Sequence, residues 1–290
     1  MAMIAGNILA GMSDEVEQVD NLISYFIPPD KMKALMYNCL RVDIADNNDK
    51  ARIVAEILGP DFNEIGTGTN RIAFKHNGVV VKVALDRRGL VDNHNEYKRS
   101  GELENFLART YETNFLINIC EYVEVFDQDD FFLNEASIKE VLKNISENYL
   151  FDDIGFAEKN SYNWGRREAI LTDDERRLYG DMADEIFDVV VLDYGYLYPL
   201  HGQKNDLLRC PKCRHKLTWN MNYTSLECTN NSCRLTISPM NLRKRMDRSY
   251  EEMEDQLASS LNNLQMPNLT SIEKELGKIN KSTKKGDKES

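Results

Sequence analysis

The 290-residue chain lacks any apolar run long enough to cross a bilayer. Its first residues, 1–12, are apolar but lack the basic segment of a secretory signal and lead directly into Asp14 and Glu15. The sequence also shows no internal repeat. These absences predict a cytoplasmic protein in a reducing compartment, with no membrane partner.

Positive charge is scarce as well. The net charge of −12 repels phosphate backbones, so broad electrostatic binding of nucleic acid is not expected. One local exception is a basic cluster late in the chain, made of Arg209, Lys212, Arg214, Lys216, Arg234 and residues 243–248. Trp219 and Tyr223 lie within it and would offer stacking faces for bases, although such aromatics more often pack a small core. Nucleic-acid binding is therefore the third and least favoured of the functions that the sequence suggests.

Cysteine is sparse, with six in the chain. Cys39 and Cys120 are isolated among apolar residues, which predicts inert buried thiols. The other four form two pairs separated by fourteen residues: Cys210, Cys213, Cys228 and Cys233. This spacing is typical of a zinc ribbon, and four thiolates would close the shell of a structural Zn²⁺. Two disulfides are the alternative, disfavoured in a reducing compartment, and His215 is a spare ligand that Cys233 makes unnecessary.

Three short motifs follow one another in the order that a nucleotide site requires. A glycine turn contains Gly66 and Gly68, the apolar strand 79–84 contains Lys82, and the apolar run 189–192 ends at Asp193. A glycine turn, a strand lysine and a strand-end aspartate are contacts for phosphate and metal. Each alone also fits a plain turn or a solvated side chain, so the prediction rests on the set.

The apolar periodicity predicts helices first and strands from residue 62 onward. Helix is predicted over 13–59 with a break at Pro28 and Pro29, and strands are predicted near 65, 72–74 and 79–83, with a hairpin turn at Asn77 and Gly78. The remaining predicted elements are a helix over 92–109, strands over 115–126 and 130–134, a helix over 137–149, a buried strand over 189–193 and a charged helix over 241–264.

Five strands with one helix after the third is the layout of a protein-kinase small lobe. The motifs at 66–71, 81–84, 93–96 and 193–195 match that layout, and the chain resembles the protein-kinase-like fold, most closely the compact kinase-like proteins of phages and bacteria. The resemblance covers about residues 55–200. It implies an α+β fold with a kinase-like small lobe and a reduced large lobe, followed by the zinc ribbon and a C-terminal helix.

The motifs and the resemblance together divide the chain into five parts. These are an N-terminal helical segment (1–59), a kinase-like nucleotide-binding domain (60–203), the zinc ribbon (204–240), a charged helix (241–266) and a flexible tail (267–290). Loss of the ribbon is expected to spare the nucleotide site, since the two fall in different parts.

The resemblance also implies roles for single residues with ATP and Mg²⁺ as cofactors. The nucleotide would be held by Gly66, Gly68, Arg71, Lys82 and Glu96, with Glu96 pairing Lys82. Asp193 would chelate Mg²⁺, Asn163 would take the second metal-ligand role, and Asp153 would act as the catalytic base. Glu158 is the alternative base.

Three departures from the kinase pattern keep two functions open. The sequence contains no His-Arg-Asp and no Ala-Pro-Glu, and only fourteen residues separate Gly195 from Cys210. The first function is an ATP- and Mg-dependent phosphotransferase with an unidentified acceptor. The alternative is a non-catalytic pseudokinase scaffold, a phage structural or interaction protein that binds a protein partner through the ribbon and the C-terminal helix. A phage origin would place the protein in the host cytoplasm or on the virion.

Overall fold

The computed structural model describes residues 21–41, 46–169, 171–200 and 208–243, and shows a mixed α+β protein. Three helices come first: α1 (Leu22–Phe26), α2 (Pro29–Leu40) and α3 (Asn47–Leu58). Pro29 occupies the first turn of α2, where its missing N–H is no loss. The Asp46 side chain caps α3 by accepting a hydrogen bond from the backbone N–H of Asn48. Local sequence therefore sets the start of both longer helices.

A five-stranded antiparallel sheet follows, with strand order β1-β2-β3-β5-β4. Its strands are β1 (Asn63–Thr67), β2 (Arg71–His76), β3 (Val79–Ala84), β4 (Thr110–Thr113) and β5 (Ile117–Glu121). Asn77 and Gly78 both have positive φ, as a tight hairpin between β2 and β3 requires. Helix α4 (Arg87–Glu102) connects β3 to β4. A five-stranded antiparallel sheet is therefore confirmed, although only four of its strands lie where strands were predicted.

Several predictions after β3 were wrong. Helix α4 begins five residues earlier than predicted and ends at Glu102 rather than 109. Strand β4 was not predicted, and β5 occupies only part of the strand predicted over 115–126. Residues predicted as a strand near 130–134 lie mostly in helix α5 (Gln128–Leu133). The Asp127 side chain caps this helix. Phe131 is fully buried in an apolar core with residues far away in the sequence, such as Trp164. Burial of one helical face has outweighed the local strand propensity of the two phenylalanines.

We call the described residues between 21 and 200 the body. Its second half packs around a separate apolar core, the second core, that contains Trp164, Val191 and Tyr194. Its elements are β6 (Glu124–Val125), α6 (Glu135–Ser146), β7 (Tyr149–Phe151), β8 (Trp164–Glu168), α7 (Asp173–Tyr179), β9 (Phe187–Val191) and β10 (Leu197–Pro199). Strands β6, β8 and β9 form one antiparallel sheet, and β7 pairs with β10. Short 3₁₀ helices cover Glu158–Asn163 and Gly180–Glu185.

The cysteine-rich region forms a small three-stranded sheet of β11 (Leu217–Trp219), β12 (Leu226–Cys228) and β13 (Thr236–Ile237), followed by α8 (Pro239–Arg243). We call residues 208–237 the ribbon. Its core includes Leu150 and Tyr198 from the body. The predicted boundary at 203/204 falls outside the described residues, as do the predicted tail and the predicted charged helix beyond Arg243. Within the described ranges, no helix is long and apolar enough to cross a membrane.

Candidate functional site

Lys82 lies in the middle of β3 between fully buried valines, and its ammonium group meets a buried carboxylate. Its Nζ donates to both carboxylate oxygens of Glu96, at 2.9 and 3.1 Å, and to the carbonyl oxygen of Leu192 at 2.8 Å. Glu96, on α4, has no exposed surface, and the Lys82 side chain is 14% exposed. A buried carboxylate is tolerated only when it is neutralised, so this pair joins the sheet, α4 and the end of β9.

Arg71, the first residue of β2, bridges the same glutamate to Asp193. Its guanidinium lies 2.9 Å from Oε2 of Glu96 and 2.5 Å from Oδ1 of Asp193. Burial alone would lower the pKa of Arg71, but the two carboxylates outweigh it and raise that pKa well above its ordinary value. Arg71 is thus a permanent cation between two predicted site residues.

Asp193 follows β9 and is the accessible member of this cluster, with its side chain 48% exposed. Partial desolvation would raise the pKa of Asp193, but the charges of Arg71 and Lys82 hold it below the ordinary value. The carboxylate is therefore ionised at neutral pH and reachable from solvent. An ionised, reachable carboxylate is suited to bind a hard cation.

The predicted glycine turn lies at the rim of the site. Gly66 is exposed on β1, and a Cβ added there would meet no other atom within 4 Å. Gly68 donates its backbone N–H to the carbonyl of Arg71 at 2.8 Å, which closes the turn between β1 and β2. The open space beside Gly66 leaves room for a ligand to approach the backbone.

Asp153 and Asn163 are hydrogen-bonded to each other next to the end of β9. Asn163 donates its side-chain N–H to the carbonyl of Asp153 at 2.7 Å, and its own carbonyl accepts from the N–H of Leu192 at 2.8 Å. Partial burial raises the pKa of Asp153, and the nearby carboxylates of Asp152 and Asp193 act in the same direction. The structure thus brings Asp153, Asn163 and Asp193 into one neighbourhood.

Glu158, the alternative base, has a different environment. It begins the 3₁₀ helix, and its carboxylate accepts a hydrogen bond from the side-chain amide of Gln128 on α5. Among the described residues, no hydrogen bond or ion pair joins Glu158 to Asp193 or Lys82.

Asp92 belongs to the cluster, although the sequence analysis did not select it. Its side chain is almost fully buried, Oδ2 accepts from Asn70 Nδ2 at 3.1 Å, and Oδ1 has no hydrogen-bond partner. Burial raises the pKa of Asp92 to about 6. The one available signal was its spacing, because a residue four positions before Glu96 lies on the same helix face.

The four cysteines converge as predicted. Their sulfur atoms all lie within 4.8 Å of one another, with Cys210 and Cys233 at 3.7 Å and Cys213 and Cys228 at 3.4 Å. A tetrahedral thiolate shell with metal–sulfur bonds of about 2.3 Å has edges of about 3.8 Å, whereas a disulfide bond is about 2.05 Å. All four are free thiols. The set fits a metal ion.

The local backbone explains this convergence. Arg214 and Arg234, each directly after the second cysteine of a pair, adopt left-handed φ values of 65° and 48° and turn the chain around the sulfurs. A hydrogen bond from the backbone N–H of His215 lowers the pKa of Cys213 to about 6. The His215 ring lies outside the sulfur cluster, with Nδ1 3.1 Å from the Cys213 carbonyl oxygen.

Comparison of the chain with known protein families and with curated proteins finds no match. The functional argument therefore depends on the geometry described above.

Proposed function

We propose that the chain has a kinase-like fold and that the cluster around Lys82 binds ATP with Mg²⁺. The observation that supports this best is the buried Lys82–Glu96 pair beside the exposed carboxylate of Asp193. Transfer of a phosphoryl group requires positioning and charge neutralisation more than covalent chemistry. Lys82 would neutralise phosphates, Glu96 would keep Lys82 in place, and Asp193 would hold the metal.

The proposed activity is phosphotransfer to an unidentified acceptor, with Asp153 as the base. A base works best when its pKa approaches the working pH, and the environment of Asp153 shifts its pKa in that direction. Glu158 is less suitable because Gln128 engages its carboxylate. Asn163 donates its amide N–H to the Asp153 carbonyl, so its amide oxygen would be the atom that binds the metal.

The proposed occupant of the four cysteines is a structural Zn²⁺. Thiolate ligands favour soft or borderline ions, and four of them leave no position for a water molecule. The metal would therefore stabilise the ribbon and take no part in chemistry.

A second function, the non-catalytic scaffold, is favoured by one specific contact. Arg71 forms an ion pair with Asp193, the carboxylate that would hold Mg²⁺. If Arg71 keeps this position, it neutralises the site and excludes a second cation. The ribbon and the segment after it would then be the working surface for a protein partner.

Calorimetry with Mg-ATP tests the proposal. Wild type should bind, Lys82→Ala should lose binding, and Lys75→Ala should bind normally. Lys75 is the matched control, because it lies on the neighbouring strand and contacts the Tyr122 ring, away from Glu96. Absence of wild-type binding at millimolar ATP would favour the scaffold.

Arg71→Gln separates the two functions further. Loss of the cation should raise Mg-ATP affinity if Arg71 blocks Asp193, and should lower it if Arg71 contacts the phosphates. An unchanged affinity would remove Arg71 from the proposed site.

A further inference from the structure

The ribbon touches the body at the loop that carries Asp153. Residues 220–223, which we call the ribbon turn, follow β11 and lie against residues 152–156, which we call the Asp153 loop. The backbone N–H of Phe156 donates to the carbonyl of Asn222 at 2.7 Å. A Cβ added at Gly155 would lie 2.4 Å from the carbonyl oxygen of Tyr223, so only glycine allows this approach.

An aromatic contact strengthens the same junction. Trp219, the last residue of β11, stacks on Phe151, which directly precedes the loop, with ring centroids 4.4 Å apart and planes 10° from parallel. One face of Trp219 is therefore occupied and unavailable to a base. Packing on Phe151 therefore accounts for this face of the Trp219 ring.

The body holds the other side of the Asp153 loop through three side chains that donate to its carbonyls. The bonds run from Asn163 to Asp153 (2.7 Å), from Trp164 Nε1 to Ile154 (3.1 Å) and from Asn160 to Gly155 (2.8 Å). Asp153 itself has a left-handed φ of 64°, which a non-glycine residue adopts at some cost. The loop is thus clamped between the body and the ribbon turn in a conformation that it does not prefer alone.

The shape of the ribbon turn depends in turn on the cysteines. Cys228 is the register partner of Leu217 across β11 and β12, and the strands run only three residues to Trp219 and its partner Leu226. Strands this short are not stable by themselves. A direct path of contacts therefore leads from the sulfur cluster through β11 and the turn to Gly155.

We propose that the metal-bound ribbon positions Asp153 through its 220–223 turn. Asn222 and Tyr223 are positioning residues, and the Asp153 loop loses its conformation when the ribbon loses its metal. The catalytic consequence rests on the proposed function, whereas the structural coupling does not. The expectation that ribbon loss spares the nucleotide site then holds for Lys82 and Glu96 but not for the base.

The first test removes the metal from the full chain with a chelator and follows hydrogen exchange. Exchange at the Phe156 amide should accelerate at least tenfold, while amides of β3 and α4 stay protected. The emission of the two tryptophans should shift as well, because Trp164 and Trp219 flank the loop on either side. Unchanged protection at 152–156 with free exchange at 226–228 would overturn the proposal.

The second test keeps the metal and disturbs only the junction. Gly155→Ala should retain metal, leave Mg-ATP affinity within twofold and lower γ-phosphate release at least tenfold. Gly101→Ala is the matched control, since a Cβ there meets nothing within 4 Å. Trp219→Leu tests the same junction without changing a residue of the loop. It should likewise keep Mg-ATP affinity and lower γ-phosphate release. Equal losses of affinity and turnover, or a Gly155→Ala protein identical to the control, would overturn the positioning role.

A chain that binds no Mg-ATP at all would defeat the proposed function alone. In that case hydrogen exchange at Phe156 still decides whether the ribbon holds the loop.

Discussion

The charged cluster of Arg71, Lys82, Glu96 and Asp193 and the four-cysteine ribbon hold their polar groups in place in different ways. Around Lys82 the cations and carboxylates neutralise one another inside a large apolar core. The ribbon has strands of two or three residues and a core that it shares with the body. Its four thiols lie close enough together to bind one metal ion, and we propose that this metal orders the ribbon. Packing therefore maintains the first region, whereas we expect metal coordination to maintain the second.

The largest effect should come from breaking the ribbon. Cys210→Ala removes one of four ligands, so the ribbon should lose its metal and its protection in hydrogen exchange, while β2, β3 and α4 remain protected. Metal content and exchange by residue measure this. Cys39→Ala, an isolated buried thiol, should keep the full metal content. Loss of protection in both regions at once would mean that they are not separately maintained.

The next effect concerns the buried charges of the sheet. Glu96→Ala leaves Lys82 and Arg71 without their shared carboxylate, and we expect a loss of about 3–5 kcal/mol in the free energy of unfolding. Denaturant titration of the metal-loaded protein measures it. Glu56→Ala, at an exposed position on α3, should change little. Similar stability of the two variants would show that the pair is not a structural element.

Asp92 makes the same region sensitive to pH. Burial raises its folded pKa from 3.8 to about 6, so the folded state binds the proton more tightly than the unfolded state. The resulting stabilisation is fully present below about pH 4 and is lost as pH rises through 6. The charged or polar groups around Asp92 are Arg71, Asn70, Asp193, Glu96 and Tyr196.

Asp92→Asn should remove that dependence. The unfolding free energy of wild type minus that of the variant should fall by about 3 kcal/mol between pH 4 and 7. Acid release of the metal affects both proteins and cancels in the difference. A flat difference curve would show that Asp92 titrates normally.

The smallest effect should come from an Arg–Glu ion pair on the surface, which has the same chemistry as the buried Arg71–Glu96 pair. Arg166 donates two hydrogen bonds to the Glu124 carboxylate, at 2.7 and 2.6 Å, across β6 and β8. Because solvent and salt screen an exposed pair, Glu124→Gln should shift the unfolding midpoint only marginally. Comparison with Glu96→Ala at low and high salt measures how far burial, rather than charge type, controls stability. A loss as large as that of Glu96→Ala would contradict this explanation.

Local features were predictable because neighbours in sequence create them. The Asn77-Gly78 turn supplied the backbone that its hairpin needs, and the cysteine spacing brought four sulfurs together. The strand predicted near 130–134 was wrong because the choice between strand and helix depended on a distant core that buries Phe131.

The sequence by itself determined four strands of the five-stranded sheet, the sulfur cluster and the pairing partners Lys82 and Glu96. Turn chemistry and ligand spacing depend on residues that are close in sequence, and a buried lysine requires a carboxylate partner nearby. Only the tertiary structure decided that Arg71 joins Glu96 to Asp193, that Asp92 is buried beside them, and that the ribbon turn presses on Gly155. These contacts join residues far apart in the chain, and close packing of distant elements, rather than any local pattern, selects them.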